Sequence, residues 1–218
     1  MRQTEHTMLP EKIRNIFCVG RNYESFARQM GNKVTENPII FMKPTHSLCQ
    51  MDGSAIEIPG DRGEVNGEAE IVLHIARPYE QGMKVEDLVD QASIGIDFTF
   101  RDVLNEVKAN GKPWLIAKGF PGFSAVGRFL PFNSFILQRD FQFFQNGKLL
   151  QTGNIRNMIF SFQNLVDFIA ANFGLGPGDI IYTGIPEGIG KLKHRDHLEV
   201  RWGNEVLGSC AITFKQNG

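Results

Sequence analysis

Cysteine is scarce in this sequence. The 218 residues include only three cysteines, Cys18, Cys49 and Cys210, which are widely separated and never arranged as C-x-x-C. This odd and scattered set excludes a disulfide framework and a zinc site built from thiolates. It is typical of a protein in a reducing compartment, and we expect a cytoplasmic location.

The sequence also has no large excess of positive or negative charge. The 23 Lys and Arg residues nearly balance the 24 Asp and Glu residues, which leaves a net charge of −1. Binding along a nucleic acid depends on a basic surface that neutralises phosphates. Nucleic acid is therefore not an expected partner.

Long hydrophobic runs are absent as well. No apolar stretch approaches the roughly 18 residues of a membrane-spanning helix. The opening sequence MRQTEHTMLPEKIRN also lacks the apolar core of a signal peptide. We expect no membrane partner.

The composition that remains is that of a globular protein. Hydrophobic residues make up 42% of the chain, and a chain of this length buries roughly 70% of its unfolded surface without needing a disulfide or metal. No linker or repeat divides the sequence, so we expect one domain over residues 1–218. The 23 Gly and 10 Pro residues fall at short intervals, as in a chain that turns often between strands. The predicted fold class is α+β and mostly β.

Local patterns predict several strands and two hairpins. Hairpin turns are indicated at Asn146-Gly147 and Gly203-Asn204, because these pairs tolerate the positive φ angles of two-residue turns. Runs of apolar and β-branched residues bounded by Gly, Pro or charge predict the other strands. These strands are Ile13 to Val19, Ile39 to Met42, Ala55 to Ile58, Ala69 to Ala76 and Ser93 to Thr99.

Three helices are also predicted. The longest begins after Ser161, an N-cap residue, and ends at Gly174, with an apolar stripe between them. Shorter helices are expected from Arg101 to Asn110 and from Asn22 to about Met30.

Two carboxylates lie close together on a predicted strand. In the segment GEAEIVLH, Glu68 and Glu70 are two residues apart, so their side chains share one face with Cβ atoms about 7 Å apart. That spacing allows both to bind one cation, although alternating acidic and apolar residues also describe a strand with one solvated face. His74 shares the face but lies roughly 13 Å further along the strand, and we interpret it as structural.

Asp97 and Lys118 are charged residues in apolar surroundings. Asp97 lies inside the strand IGIDFTF, and a buried carboxylate needs a cation, a metal or several N–H donors. Arg101, or a capping role at the following helix, would satisfy Asp97 without a metal. Lys118 in PWLIAKGF is either a surface lysine whose stem lies along apolar neighbours or a lysine that points into a pocket.

Eight segments of the sequence form a combined pattern: GRNYESFARQM, IIFMKP, GEAEIVLHIARP, IDFTFRDV, PWLIAKGF, MIFSFQNLVDFIA, GDIIYTGIPEGIG and the closing hairpin. Together these segments resemble the fumarylacetoacetate hydrolase family. They occur in the family's order and spacing and extend the resemblance from about Ile13 to Phe214. The small single-domain members are the most similar, and they include acylpyruvate hydrolases, oxaloacetate decarboxylases or tautomerases and enzymes of homoprotocatechuate breakdown.

This resemblance implies a fold, a cofactor and a set of site residues. The implied fold is a mixed β-roll or sandwich with a few short helices, assembled as a homodimer. The implied cofactor is Mg²⁺ or Mn²⁺ held by Glu68, Glu70 and Asp97, and carboxylate oxygens are the ligands that such hard cations prefer. Arg101 and Lys118 match catalytic residues, with Arg101 beside the substrate carboxylate and Lys118 placed to stabilise an enolate or oxyanion. The implied substrate-binding residues are Arg21, Tyr23, Arg101, Lys118 and Thr183.

The chain departs from the family pattern around this implied site. Typical hydrolases carry a water-activating His and Glu where this sequence has Phe26 and Gln29. Neither residue takes a proton from water near pH 7, and such general-base help contributes about 10²–10⁴ in rate. Glu24 or His46 could replace the missing pair, but nothing in the spacing directs either one inward.

Other polar positions of the family pattern are also altered. Leu104 stands where a Gln is common, and Ile185 replaces the second Thr of T-G-T-P. In the H-H-E-x-E motif, Asn66-Gly67 replaces the two His residues. The implied metal ligands are therefore kept while much of the surrounding polar shell is apolar.

Two functions are compatible with this pattern. The leading hypothesis is a divalent-metal-dependent hydrolase or lyase that acts on a small 2-oxo or 1,3-dicarbonyl carboxylate, such as an acylpyruvate, a fumarylacetoacetate-like acid or an oxaloacetate-like acid. Decarboxylation or tautomerisation needs a Lewis acid and an oxyanion partner but no water-activating pair. The alternative is a catalytically reduced family member that binds metal and an anionic metabolite without efficient turnover.

Overall fold

The structure is a computed structural model that describes residues 12–23, 35–133 and 137–215. Within these ranges it contains fourteen strands and four α-helices. The strands are β1 (Ile16–Gly20), β2 (Ile39–Lys43), β3 (Leu48–Gln50), β4 (Asp52–Pro59), β5 (Val65–Ile75), β6 (Val89–Phe100), β7 (Ser124–Val126), β8 (Leu130–Pro131), β9 (Phe141–Gln145), β10 (Lys148–Gly153), β11 (Ile180–Tyr182), β12 (Gly190–Lys191), β13 (His197–Trp202) and β14 (Glu205–Lys215). The helices are α1 (Val85–Leu88), α2 (Arg101–Ala109), α3 (Leu115–Lys118) and α4 (Phe162–Phe173).

The strands form two sheets of mixed direction. The larger sheet has the order β2-β1-β11-β5-β6-β7-β3, with β12 beside β5 and β8 beside β6, and the smaller has the order β10-β9-β13-β14-β4. Neighbours are mostly antiparallel, but β1 and β11, β3 and β7, and β4 and β14 run parallel. The predicted α+β, mostly β fold with a mixed sheet arrangement is confirmed.

Most of the predicted elements are confirmed with shifted ends. Both hairpins form, and Asn146, Gly147 and Gly203 have φ angles of 53°, 74° and 60°. The strand predicted from Ala69 begins earlier, at Val65, because the polar and flexible pair Asn66-Gly67 pairs with β12 instead of forming a turn.

Two of the three predicted helices are confirmed. Ser161 caps the start of helix α4, and its side chain accepts a hydrogen bond from the Asn164 N–H. Gly174, with a φ of 79°, ends the helix. The helix predicted from Asn22 is wrong at its start, because Tyr23 forms a β-bridge with Met158. The rest of that predicted helix lies outside the described residues.

The main hydrophobic core lies between the two sheets. Alternate residues of the central strands point into it, including Ile71 of β5 and Ile96 of β6, and α4 contributes Leu165 and Ile169. The opposite face of the larger sheet carries a smaller apolar cluster around Val72, Cys18 and Tyr182. Since side chains alternate along a strand, Glu68 and Glu70 share this second face with Val72.

The helices of the described ranges are short or amphipathic. None of them combines the length and apolar character that crossing a membrane demands.

Candidate active site

Three buried carboxylates meet on the two longest central strands. Glu68 of β5 lies directly opposite Asp97 of β6 in the antiparallel pair, and Glu70 lies opposite Gly95. One carboxylate oxygen from each of Glu68, Glu70 and Asp97 lies within 4.8 Å of the other two. The three residues are 7%, 2% and 1% exposed, so their charges are largely removed from water. Strand pairing thus brings together the three residues that the resemblance implies as metal ligands, and the cluster is able to hold a divalent cation.

The carboxylate of Glu70 is held by a backbone donor. The N–H of Gly184 donates to Glu70 Oε2 at 2.7 Å. Gly184 has a φ of 99°, and a Cβ at this position would lie 2.6 Å from the Cβ of Asn22, so the close approach requires glycine. Burial and the charge of Asp97 nevertheless raise the pKa of Glu70 well above its usual range. Two buried carboxylates this close need a cation to ionise together.

Lys118 supplies one such cation. Its Nζ donates to Glu68 Oε2 at 2.9 Å and to Asp97 Oδ2 at 2.6 Å, and the residue is 4% exposed. Burial alone would lower the pKa of Lys118, but the charges of Asp97 and Glu68 outweigh burial and hold the pKa above its usual value. Lys118 is therefore a protonated donor. The sequence left open a surface lysine or a lysine that points into a pocket, and the structure shows the second.

Lys43 is a second buried cation, and sequence reasoning missed it. Its Nζ forms an ion pair with Asp97 Oδ1 and donates to the carbonyl oxygens of Phe123 at 2.5 Å and Phe98 at 3.3 Å. Lys43 pairs with Ile16 across β1 and β2, which places it on the same face as the carboxylates. Asp97 is thus held between two lysines, and neither Arg101 nor a helix cap satisfies it.

A cavity of about 80 Å³ opens above these groups. Its wall includes the carboxylates and Lys118, three further cationic side chains and several apolar residues. The cationic residues are Arg21, Arg101 and Lys108, and the apolar residues are Val19, Phe41, Leu104, Trp114 and Ile185. The arrangement combines an acidic floor that suits a metal, a basic wall that suits an anion, and apolar surfaces that limit contact with water.

Arg21 and Arg101 both reach this cavity from the ends of strands. Arg21 follows β1 and has a φ of 61°, a conformation that is uncommon for a residue other than glycine and often found at functional sites. Arg101 begins α2 directly after β6. Their predicted contact with a substrate carboxylate is compatible with these positions and stays a prediction.

Tyr23 and Thr183 are buried and are not among the residues that line the cavity. Tyr23 is fully buried, and its hydroxyl has no hydrogen-bond partner among the described residues; burial and the charge of Glu70 raise its pKa. The hydroxyl of Thr183 donates to the carbonyl of Ile71 at 2.9 Å. Thr183 directly precedes Gly184, whose N–H donates to Glu70. The predicted contacts of Tyr23 and Thr183 with the substrate stay predictions.

The histidines named from the sequence lie away from the carboxylates. His46 is exposed in the turn after β2. His74 Nδ1 lies 2.6 Å from Asp90 Oδ1, and its ring packs edge-on against Phe129, which agrees with a structural role. Glu24, Phe26 and Gln29 lie outside the described residues.

Asn22 is another residue that sequence reasoning did not single out. Its side chain donates to the carbonyls of Thr183 and Phe160 at 2.8 and 3.1 Å and accepts from the Phe160 N–H at 2.7 Å. A buried Asn with three backbone partners fixes the loop that contains Gly184. The only sequence signal was its place in GRNY.

Comparison with known proteins identifies similar sequences over almost the whole chain. The family model described as fumarylacetoacetate (FAA) hydrolase C-terminal matches residues 15–215. The oxaloacetate tautomerase YcgM of Escherichia coli (strain K12) is 30% identical over 205 residues, which cover 92% of this chain and 93% of that protein. The mitochondrial oxaloacetate tautomerase FAHD1 of Homo sapiens is 32% identical over 209 residues, with coverages of 93% and 91%.

A solved structure agrees with these sequence matches. The crystal structure of fumarylpyruvate hydrolase from Pseudomonas aeruginosa, in complex with Mn²⁺ and pyruvate, superposes with a TM-score of 0.85. It is 26% identical to this chain, and the match covers 93% of this chain and 91% of that one.

Proposed function

Because the chain belongs to the fumarylacetoacetate hydrolase family, we propose that it is a Mg²⁺- or Mn²⁺-dependent enzyme that forms enolates from oxaloacetate-like 2-oxo acids, by tautomerisation or decarboxylation. The relatives described above are named enzymes, and the chain is an enzyme of this family. The observation that carries the proposal is the cluster of three buried carboxylates with the Lys118 ammonium beside them, below a basic cavity wall.

The donor set fits a divalent metal. Glu68, Glu70 and Asp97 offer only oxygen ligands, which favours Mg²⁺ or Mn²⁺ over softer ions. When bound, such an ion supplies a Lewis acid that polarises the 2-oxo group of the substrate. Burial, and after it the charge of Asp97, raises the pKa of Glu70, and a bound cation would oppose both effects.

Lys118 would stabilise the negative charge that develops on the substrate. Its ammonium donates to Asp97 and Glu68 at the floor of the cavity, so it is placed to act as a hydrogen-bond donor. In decarboxylation, the bond from C3 to the distal carboxylate breaks, CO₂ leaves, and the electron pair of the bond moves toward the 2-oxo oxygen. In tautomerisation, the C3 proton passes to solvent and the electron pair of the C–H bond moves toward the same oxygen. Both reactions place negative charge on the same oxygen, where a preorganised donor is most effective.

The reduced alternative, binding without turnover, is not favoured. The carboxylates, Lys118 and Arg101 are all present in the site, and enolate formation does not require the water-activating pair that Phe26 and Gln29 replace. Turnover of oxaloacetate, fumarylacetoacetate and a panel of acylpyruvates, measured with Mg²⁺ and after chelation, tests the proposal. We expect metal-dependent turnover of oxaloacetate; rapid acylpyruvate hydrolysis without activity on oxaloacetate would contradict it.

Metal binding should depend on Asp97. We expect Asp97→Asn to weaken Mg²⁺ or Mn²⁺ binding at least about tenfold, because it removes a charged ligand. Titration calorimetry on chelator-treated protein measures this effect. Asp102→Asn is the matched control, since Asp102 is exposed and accepts only from the Glu64 N–H in the described structure. Equal affinities for the parent and Asp97→Asn would place the metal elsewhere.

Hydrolysis should improve when the missing pair is restored. We expect the double variant Phe26→His, Gln29→Glu to raise acylpyruvate hydrolysis about tenfold or more, while activity on oxaloacetate stays within a few-fold. Both changes are needed because a lone His would lack the carboxylate that orients it. The single variant Phe26→His is therefore the control.

Two results would contradict this account of the replaced pair. Fast hydrolysis by the unmodified protein would mean that Glu24, His46 or another group activates water. A double variant that binds metal and remains inactive would mean that Leu104 and Ile185 exclude these substrates.

A homodimer and a cytoplasmic location remain part of the proposal. The family resemblance is the main support for the dimer, and the exposed apolar side chains of Met42, Leu115 and Ile116, which are 43%, 55% and 60% exposed, add a structural reason. Light scattering should give about twice the 24.5 kDa mass of one chain. A monomeric mass at micromolar concentration would exclude the dimer.

A further inference from the structure

The wall of the candidate active site is more basic than a single carboxylate requires. Arg21, Arg101 and Lys108 all line the cavity together with Lys118. Within residues 12–23, 35–133 and 137–215, no carboxylate forms an ion pair with Arg21, Arg101 or Lys108. These three charges therefore face a cavity and have no carboxylate ion-pair partner among the described residues.

Helix α2 arranges two of these charges around an apolar centre. Arg101, Leu104 and Lys108 are spaced i, i+3 and i+7, so they lie on one face of the helix, and all three line the cavity. At 1.5 Å per residue, the Cα atoms of Arg101 and Lys108 are about 10.5 Å apart along the axis. This face of the helix therefore carries an apolar side chain between two positively charged ones.

The ammonium of Lys108 is held at the cavity by an aromatic ring. Its Nζ lies 4.5 Å from the centroid of the Trp114 ring, and Trp114 packs against Phe41 at a centroid distance of 5.6 Å. Both aromatic residues line the same cavity. Although much of the Lys108 side chain is exposed, this cation–π contact limits where its charge can lie.

The electrostatics of Lys108 agree with a binding role. Partial burial, followed by the charges of Arg21, Arg101 and Lys118, lowers its pKa to about 8, and Glu68 opposes this shift only weakly. Like charges gathered at a cavity repel one another until an anion enters. A substrate with a second negative charge would relieve this repulsion more than a substrate with one.

We propose that Lys108 is a specificity-determining residue that binds the distal carboxylate of the substrate, so that the enzyme selects 2-oxo diacids over 2-oxo monoacids. This inference rests on the proposed function, in which the 2-oxo end of the substrate lies at the carboxylate floor near Lys118. The distal carboxylate then lies at the Lys108 end of α2, with the carbon chain against Leu104. A monoacid places a methyl group there and leaves the charge of Lys108 without a partner.

Equilibrium binding of two stable acids tests the assignment without turnover. Malate and 2-hydroxybutanoate differ only in that malate carries a carboxylate where the other carries a methyl group. We expect the full-length protein, saturated with Mg²⁺, to bind malate about tenfold or more tightly by titration calorimetry, because a charge-assisted contact is gained. Lys108→Met should reduce this preference to about threefold or less, mainly because the protein binds malate more weakly.

Two variants serve as controls. Lys108→Arg keeps the charge and should keep the preference for malate. Lys112→Met removes a nearby exposed lysine that does not line the cavity and should change neither affinity. A parent protein without a preference, or a preference that survives in Lys108→Met, would overturn the assignment.

The pH dependence of binding gives an independent readout. Lys108 carries its charge below its pKa of about 8, so the preference for malate should decrease as the pH rises above this value. The charges that face it are Arg21 from the end of β1, Arg101 on α2, Lys118 on α3 and Glu68 on β5. Lys108→Arg should show no such decrease over the same range, and a decrease of equal size in Lys108→Arg would assign the titration to another group.

The outcomes separate this inference from the proposed function. Malate preference without turnover of oxaloacetate would leave Lys108 as a diacid-binding residue and contradict the proposed reaction. Turnover of oxaloacetate together with a preference for malate that does not depend on Lys108 would support the proposed reaction and show that Lys108 does not determine its specificity.

Discussion

Replacement of Lys118 by methionine is expected to lower the turnover number for oxaloacetate by about 10²–10³, the usual effect of removing one oxyanion donor. The reason is the position of its ammonium, which lies 2.6 Å from Asp97 Oδ2 and 2.9 Å from Glu68 Oε2 at the floor of the cavity. Without it, the developing enolate oxygen loses a donor that is buried and fixed in place. The measurement is a steady-state assay with saturating Mg²⁺.

The metal affinity of the same variant distinguishes catalysis from structure. Lys118 places a positive charge against two of the three implied metal ligands, so its removal should leave Mg²⁺ binding as tight as in the parent or tighter. Lys118→Gln, which retains a neutral donor, should recover part of the turnover. Lys112→Met is the surface control. If metal affinity fell in Lys118→Met by the same factor as turnover, Lys118 would be a residue that organises the carboxylates and not one that acts on the substrate.

Sequence pattern located the carboxylates but could not show that they meet. The period of two along a strand places Glu68 and Glu70 on one face, and the apolar run around Asp97 indicates burial. The contact between them depends on the register of β5 against β6, which pairs Glu68 with Asp97. The register of one strand against another is a tertiary property, and only the family resemblance supplied it in advance.

Short strands were the part of the fold that sequence patterns missed. β3, β7 and β11 have three residues each, and β8 and β12 have two, which is too few to establish a period. They form because longer neighbours offer backbone partners, as β5 does for both β11 and β12. The helix predicted from Asn22 was wrong at its start for a related reason, since Asn22 and Tyr23 bond to the distant segment around Phe160 and Met158.

Lys43 and Lys108 were missed for different reasons. A lysine before Pro44 at the end of an apolar strand looks like an ordinary strand terminus, and only the pairing of Lys43 with Ile16 turns it toward Asp97. Lys108 could have been found, because the helical spacing of Arg101, Leu104 and Lys108 is visible in the sequence. Leu104, which already stands out because it differs from the family pattern, lies on that same face. Following this face one turn further along the helix leads to Lys108.

Lys43 should prove essential for stability, because it compensates a carboxylate that is 1% exposed. Lys43→Met leaves Asp97 with Lys118 alone and removes the donor to the carbonyls of Phe98 and Phe123. Breaking a buried ion pair by removal of one partner costs about 3–5 kcal/mol. For a chain of this size, that loss of unfolding free energy lowers the melting temperature by about 6–20 °C, which thermal unfolding of the metal-free protein would measure.

Surface and double variants make the Lys43 experiment specific to the buried charge. Lys191→Met removes an exposed lysine that pairs with Glu64 at 2.5 Å, and an exposed pair contributes at most about 1 kcal/mol. The double variant Lys43→Met, Asp97→Asn should be more stable than the sum of its single changes predicts, because the uncompensated charge is gone. A melting temperature for Lys43→Met no lower than that of Lys191→Met would mean that Lys118 alone satisfies Asp97, and additivity of the two single changes would mean that Lys43 and Asp97 do not act as a pair.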